Sequence, residues 1–148
     1  MSPMNADKTF TFGLIKSKTV EKYDIFDILS HIKPRLTLEF LRRLELPKSL
    51  AERFYEEHKG ESYFAGAVNS ITCGPVYVVI LSKSIYNKEN KFVSATLEWR
   101  DIIGHRDPKQ RSPDSLRSKY GFDNPHNGFH GSDSYEAFLR ESTIFLSK

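Results

Sequence analysis

"PVYVVILS", Pro75 to Ser82, is a β-branched apolar run behind a Gly-Pro pair, long enough to be a buried strand at the centre of a sheet. Everything on either side reads as elements arranged about it. Upstream, "SYFAGAVNSI" (Ser62 to Ile71) predicts a short helix closed by Gly74-Pro75. Before it, "PKSLAERFYEEHKG" (Pro47 to Gly60) combines a proline suited to a helix's first turn, a charged body and a terminal glycine. "RLTLEFLRRLEL" (Arg35 to Leu46) alternates in its first half, which predicts a strand with Leu36, Leu38 and Phe40 on one face.

Further back, "EKYDIFDILSHI" (Glu21 to Ile32) carries Ile25, Ile28, Leu29 and Ile32 at helical spacing and predicts one helix. "TFTFGLI" (Thr9 to Ile15) predicts the first strand, with Lys16 at its C-terminal end. Downstream of the central strand, residues Lys83 to Phe92 are polar and read as a surface insertion or hairpin. "ATLEWRDIIG" predicts a helix, "HRDPKQRSPDSLR" a long loop, and the segment from about Asp133 to Phe145 the last helix, behind a short stretch ending at "GFH". Strands alternating with helices in this order predict an α+β fold, a ferredoxin-like βαββαβ sandwich whose antiparallel sheet is covered by helices.

A chain of 148 residues is about one domain, with one core and one site; residues 1–8 are expected to be a flexible lead-in. Its 39% hydrophobic, 28% charged composition is that of a soluble globular protein. The net charge of +3 is too small to argue for nucleic acid by itself, and no specific nucleic-acid partner is expected. The single cysteine, Cys73, rules out an intramolecular disulfide and reads as a small buried residue; a reducing compartment suits it. The N-terminus has no secretory or transit pattern and no apolar run approaches a bilayer span, so no membrane partner and a cytoplasmic location are expected.

Chemistry concentrates in "NGFHGSDSYEAFLRE", Asn127 to Glu141. Asp133 and Glu136 have capping-box spacing, which sets His130 at the mouth of a helix N-terminus, a natural place for a phosphate. Within that helix Ala137, Phe138, Ile144 and Phe145 define the apolar face, and Glu141 falls on it. A carboxylate there needs a partner. If it accepts one ring N–H of His130, the other nitrogen keeps a free lone pair, as a histidine nucleophile requires. Spacing alone leaves the plainer reading standing, a core histidine and a solvated glutamate. Arg100, Arg106, Arg111 and Arg117 lie on or beside the proline-bearing loop; they read as phosphate-binding forks or as a solvated basic loop.

"NGFHGSDS" resembles the N-x-x-H-G-S-D-S active-site signature of the nucleoside diphosphate kinases. "PDSLRSKYG", "RFYEEHKGESYFAGAVNSITCGP" and "TFGLIK" resemble three further blocks of that family, so the likeness runs from about Thr9 to Phe145. It implies a ferredoxin-like core and ping-pong transfer of a terminal phosphate between nucleoside tri- and diphosphates (ATP, GTP, deoxynucleoside diphosphates) through a phosphohistidine. It also implies Mg²⁺ held mainly by the nucleotide, with Asp133 reaching it through water, and a homo-oligomer, hexamer or smaller.

Residue by residue, the resemblance implies that His130 is the nucleophile through Nδ1, that Glu141 orients it, and that Ser132 stands beside them. Lys16 matches the lysine that meets the terminal phosphate, Arg100 and Arg117 the clamping arginines, and Asn127 the amide that holds ribose and phosphate. Tyr55 matches a tyrosine near the histidine, and Tyr63 the aromatic on which the base stacks. Arg106 stands where the family has a small hydroxyl residue touching phosphate, and "SKTV" after Lys16 departs from the usual Pro-Asp-x-Val. A catalytically reduced nucleotide-binding or interaction module of the same fold is the alternative; a decayed site would be expected to lose the catalytic set, which is intact here.

Overall fold

The computed structural model describes residues 8–84, 94–123 and 125–146. The β-branched run forms β3 (Val76–Ser84), which pairs antiparallel with β1 (Lys8–Ile15) on one side and β2 (Thr37–Leu44) on the other. β1 in turn pairs antiparallel with the short β4 (Phe129–Gly131), so the sheet order is β2-β3-β1-β4. Between the strands run α1 (Ser17–Lys22), α2 (Ile25–Ile32), α3 (Lys48–Phe54), a 3₁₀ turn (Glu56–His58), α4 (Phe64–Ser70), α5 (Ala95–Ile103) and α6 (Leu116–Tyr120). The last element is α7 (Tyr135–Leu146). This is the ferredoxin-like α+β sandwich expected from the order of elements.

Both faces of the sheet are buried. Ile15, Val79 and Leu81 pack with Ile28, Leu29 and Ile32 of α2 and Trp99, Ile102 and Ile103 of α5. Phe12, Leu14, Val76 and Val78 on the opposite face pack with Ala51 and Phe54 of α3, Val68 of α4, and Ile144 and Phe145 of α7. Covering on both sides explains why β3 reads as a continuous apolar run and not as an alternation.

Six expectations change. The stretch Glu21 to Ile32 is the end of one helix and the whole of another. Tyr23 is extended, and Asp24 starts the second helix by accepting the N–H of Phe26 at 2.8 Å. Leu38 and Phe40 do not share a face: the β2–β3 register shifts between them, sending Leu38 to the Trp99 side and Phe40 to the Phe12 side. The last helix is capped by Ser134, whose Oγ accepts the N–H of Ala137 at 3.0 Å, and not by Asp133. Cys73 is exposed, in the turn before β3. Lys8 is already part of β1, and Lys83 and Ser84 extend β3; residues 1–7 and the rest of the expected insertion, 85–92, lie outside the described residues.

Candidate active site

β4 sits at the sheet's edge with His130 opposite Leu14 of β1. That register turns the imidazole toward the α3–α7 face, where Phe54 meets it edge-on at 4.9 Å. From α7, Glu141 reaches Nε2 with Oε1 at 2.8 Å, and Ser132 Oγ donates to the same oxygen at 2.7 Å. Burial alone raises the Glu141 carboxyl. Hydrogen bonds from His130 and Ser132, with the charges of His130 and Arg140, outweigh that and hold it below the usual carboxylate range. With Nε2 occupied, Nδ1 is the nitrogen left without a partner among the described residues.

The histidine's backbone is fixed from the other face. Trp99 Nε1 donates to His130 O at 3.2 Å, its ring lying so close to β1 and β4 that a Cβ on Gly13 would come within 2.5 Å of Nε1 and one on Gly131 within 2.8 Å of Cδ1. Arg100 and Arg117 are held by carbonyls around the same short strand. Arg100 Nη1 donates to Gly131 O at 3.2 Å; Arg117 donates from Nη1 to Gly104 O at 2.8 Å and from Nη2 to Phe129 O at 2.9 Å. Each guanidinium therefore has a fixed attitude without spending its charge on an acid.

Lys16 ends β1, its N–H bonded to Gly128 O at 2.8 Å and its side chain buried. Burial, helped by the nearby Arg117, pushes its ammonium down to about 7. Burial and the fields of Arg111, Arg100 and Arg106 push Arg117 down to about 10. Among the described residues Lys16, Arg100, Arg106, Arg111 and Arg117 form no salt bridge, whereas Arg35 and Lys8 elsewhere do. A cluster of cations left without counter-charge is a site for an anion. Asn127 is buried, and its Oδ1, like Arg117 Nε, has no hydrogen-bond partner among the described residues.

After Lys16, the departing "SKTV" sequence builds a local tie instead: Ser17 Oγ donates to Gly74 O at 2.7 Å as α1 begins. Asn127, His130 and Ser132 thus lie on or beside β4, with Lys16 bonded to Gly128 just past the end of β1, Arg100 and Arg117 on β4 carbonyls and Glu141 on the imidazole. Tyr55 is one ring removed, edge-on to Phe54 at 4.8 Å, its hydroxyl pushed up to about 12, chiefly by burial. Tyr63 lies farther along, half-exposed at the start of α4. Arg106 is exposed, its carbonyl accepting Arg111 Nη2 at 2.6 Å, and it acts on the cluster through its field at Arg117. Asp133 is exposed ahead of α7. Trp99, which holds the His130 carbonyl, is not among the residues the spacing points to; only its being the chain's single tryptophan signals it.

The chain matches the family profile "Nucleoside diphosphate kinase" over residues 9–148. A nucleoside diphosphate kinase of Saccharolobus solfataricus is 34% identical over 139 residues, 93% of this chain and 94% of that protein. The crystal structure of the Aquifex aeolicus nucleoside diphosphate kinase superposes with a TM-score of 0.81 at 26% identity, over 95% of this chain and 96% of that one. A halophilic nucleoside diphosphate kinase from Halobacterium salinarum, in complex with CDP, gives 0.80 at 28% identity, over 95% and 89%.

Proposed function

The chain belongs to the nucleoside diphosphate kinase family, and from that premise we propose that His130 carries the phosphoryl group between its two nucleotides. The family activity, transfer of a terminal phosphate from a nucleoside triphosphate to a nucleoside diphosphate, is the reaction it serves. The observation that carries the assignment is the 2.8 Å contact of His130 Nε2 with Glu141: Nε2–H donates to the carboxylate and Nδ1 keeps its lone pair.

In the first half-reaction Nδ1 attacks the terminal phosphorus in line. The Nδ1–P bond forms as the bond to the bridging oxygen breaks, and the diphosphate leaves with that electron pair. The positive charge gained by the ring is balanced by Glu141 through Nε2–H. A second diphosphate enters and the steps run in reverse. Lys16, Arg100 and Arg117 spread the charge of the loose transition state, and loss of any one should cost about 2–4 kcal/mol of barrier. Asn127 Oδ1 is available to a ribose hydroxyl, and the half-exposed Tyr63 to a base. Stacking on a π-face accepts any base, which suits broad use of ATP, GTP and deoxynucleoside diphosphates; the Halobacterium relative holds CDP.

Among the described residues no group of three or more His, Cys, Asp or Glu is placed to hold a metal ion, and the site is cationic. Those residues fit a Mg²⁺ that arrives on the nucleotide's own phosphates, with Asp133 the carboxylate open to its water shell. Asp133 would meet that water shell, and the ion would supply neutralisation of the phosphate charge.

No helix of the described residues is long and apolar enough to cross a membrane. Nucleotide substrates suit a cytoplasmic location, and the edge of β2, unpaired among the described residues and carrying the exposed Leu41, suits a homo-oligomer, hexamer or smaller, which sedimentation would size. The decisive assay offers ATP and dTDP with Mg²⁺ and follows dTTP beside acid-labile label on the protein. Wild type should show both and His130→Ala neither; label retained on the variant would overturn the assignment.

A further inference from the structure

The turn between the 3₁₀ segment and α4 holds two rings together. Glu61 N–H donates to His58 O at 3.0 Å; Lys59 lies at φ −61°, ψ 131°, and Gly60 at φ 95°. These are the dihedrals of a type II turn, whose third position asks for glycine. The turn folds the chain back so that Tyr63 Oη stands 2.7 Å from His58 Nδ1, with the ring centroids 5.4 Å apart. Nδ1 is the one partner of that hydroxyl among the described residues. On the far side of the imidazole, Nε2 faces Glu57 Oε1 at 3.8 Å. In the tautomer that turns its Nε2–H toward this carboxylate, Nδ1 accepts the phenol O–H.

His58 is itself set against the core: its ring lies 6.3 Å from Tyr55, which meets Phe54, which meets His130. We propose that His58 is a positioning residue for the nucleobase: it tethers the hydroxyl of Tyr63 and so fixes the plane of the ring on which the base stacks. The inference rests on the reading of Tyr63 as the base platform. A ring 53% exposed, with no burial to select its rotamer, would otherwise be ordered only when the nucleotide binds, and that ordering lowers affinity. The hydrogen bond is open to water, so its worth is geometric. A phenylalanine would stack as well but offers nothing to tether.

Because His58 touches no reacting atom, its loss belongs in KM and not in kcat. With the full-length protein and ATP as donor, His58→Ala and Tyr63→Phe should each raise KM for dTDP about threefold to tenfold, the effect of freeing one side chain, with kcat within twofold. The double variant should be no worse than either single one. His58→Asn, whose amide can accept near the place of Nδ1, should recover most of the loss. Phosphorylation of His130 by ribose 5-triphosphate, which has no base, should be the same in wild type and His58→Ala. A KM unmoved by His58→Ala and Tyr63→Phe but raised by Tyr63→Ala would overturn the tether and leave the platform. A KM unmoved by Tyr63→Ala would overturn the platform itself. Equal slowing of the base-free donor, or additive losses in the double variant, would show a general structural role and also overturn the tether.

Discussion

Glu141 accepts the Nε2–H of the proposed nucleophile, and its own environment says how it should respond to change. It is buried, yet two hydrogen bonds to one oxygen keep it ionised. Glu141→Gln keeps an oxygen for Nε2–H but removes the charge that balances the phosphorylated ring. A charge-assisted hydrogen bond is worth about 1.5–3 kcal/mol, so kcat should fall roughly 10- to 150-fold with a smaller change in KM. Its folded pKa lies below the unfolded one, so its stabilising contribution is present above the unfolded value, near 4.5, and is lost as pH falls through the folded value. Acid titration of Glu141→Gln by circular dichroism should therefore give a flatter limb below that pH.

Lys16 shifts in the same direction, its folded value of about 7 lying far below the unfolded 10.5, but here the shift disfavours the charged form. Between those values the unfolded chain binds the extra proton, so stability rises with pH by up to about 1.4 kcal/mol per unit, and the full cost of burying the charge is present below pH 7. Lys16→Met should melt higher than wild type at pH 6–7, lose that advantage toward pH 10.5, and turn over poorly throughout. A variant that melts lower at pH 6 would contradict this account.

Among the elements, α7 and α5 carry the site, and each offers a test. The cap of α7 is Ser134, so Ser134→Ala should cost about 1 kcal/mol in denaturant unfolding while Asp133→Ala costs little. Gly13→Ala would drive a methyl into the Trp99 ring, 2.5 Å from Nε1; overpacking of that kind costs about 1–3 kcal/mol. Because Trp99 also holds the His130 carbonyl, kcat should fall with it, although residue 13 touches no substrate.

These elements also show what sequence can carry. The apolar run of β3, the helical phase that puts Glu141 on the buried face, and the lysine ending β1 are local patterns, and each was legible. The break at Tyr23 was partly so, since Asp24 is a capping residue inside an apolar periodicity that seemed to run on. The transfer of Phe40 to the other face depends on a bulge set by pairing with β3, and the anchoring of Arg100 and Arg117 on the Gly131 and Phe129 carbonyls depends on packing across the sheet. No spacing along the chain encodes such long-range contacts. Asp133 looked like the cap because its spacing to Glu136 was right; the neighbouring Ser134 took the role.

At the scale of the whole molecule, the unbalanced charge at one end of the sheet couples nucleotide binding to protons. Free, the protein holds a buried lysine at about 7 beside guanidiniums that form no ion pair among the described residues. A triphosphate brings several negative charges to that point and favours the ammonium form. At pH 8 only about a tenth of Lys16 is protonated in the free protein, so binding should take up close to one proton. Calorimetric titration with a non-hydrolysable triphosphate, in buffers of different ionisation enthalpy, reads that number from the slope of heat against buffer enthalpy. The slope should approach one near pH 8 and lose the lysine's share at pH 5.5, where Lys16 is already charged; Lys16→Met should lower it at pH 8 and leave it unchanged at pH 5.5. The same ligand should raise the melting temperature, and salt should diminish the rise. Equal slopes for wild type and Lys16→Met at pH 8 would mean that the lysine is already an ammonium in the free site, and that the buried cation is stabilised by something other than its substrate.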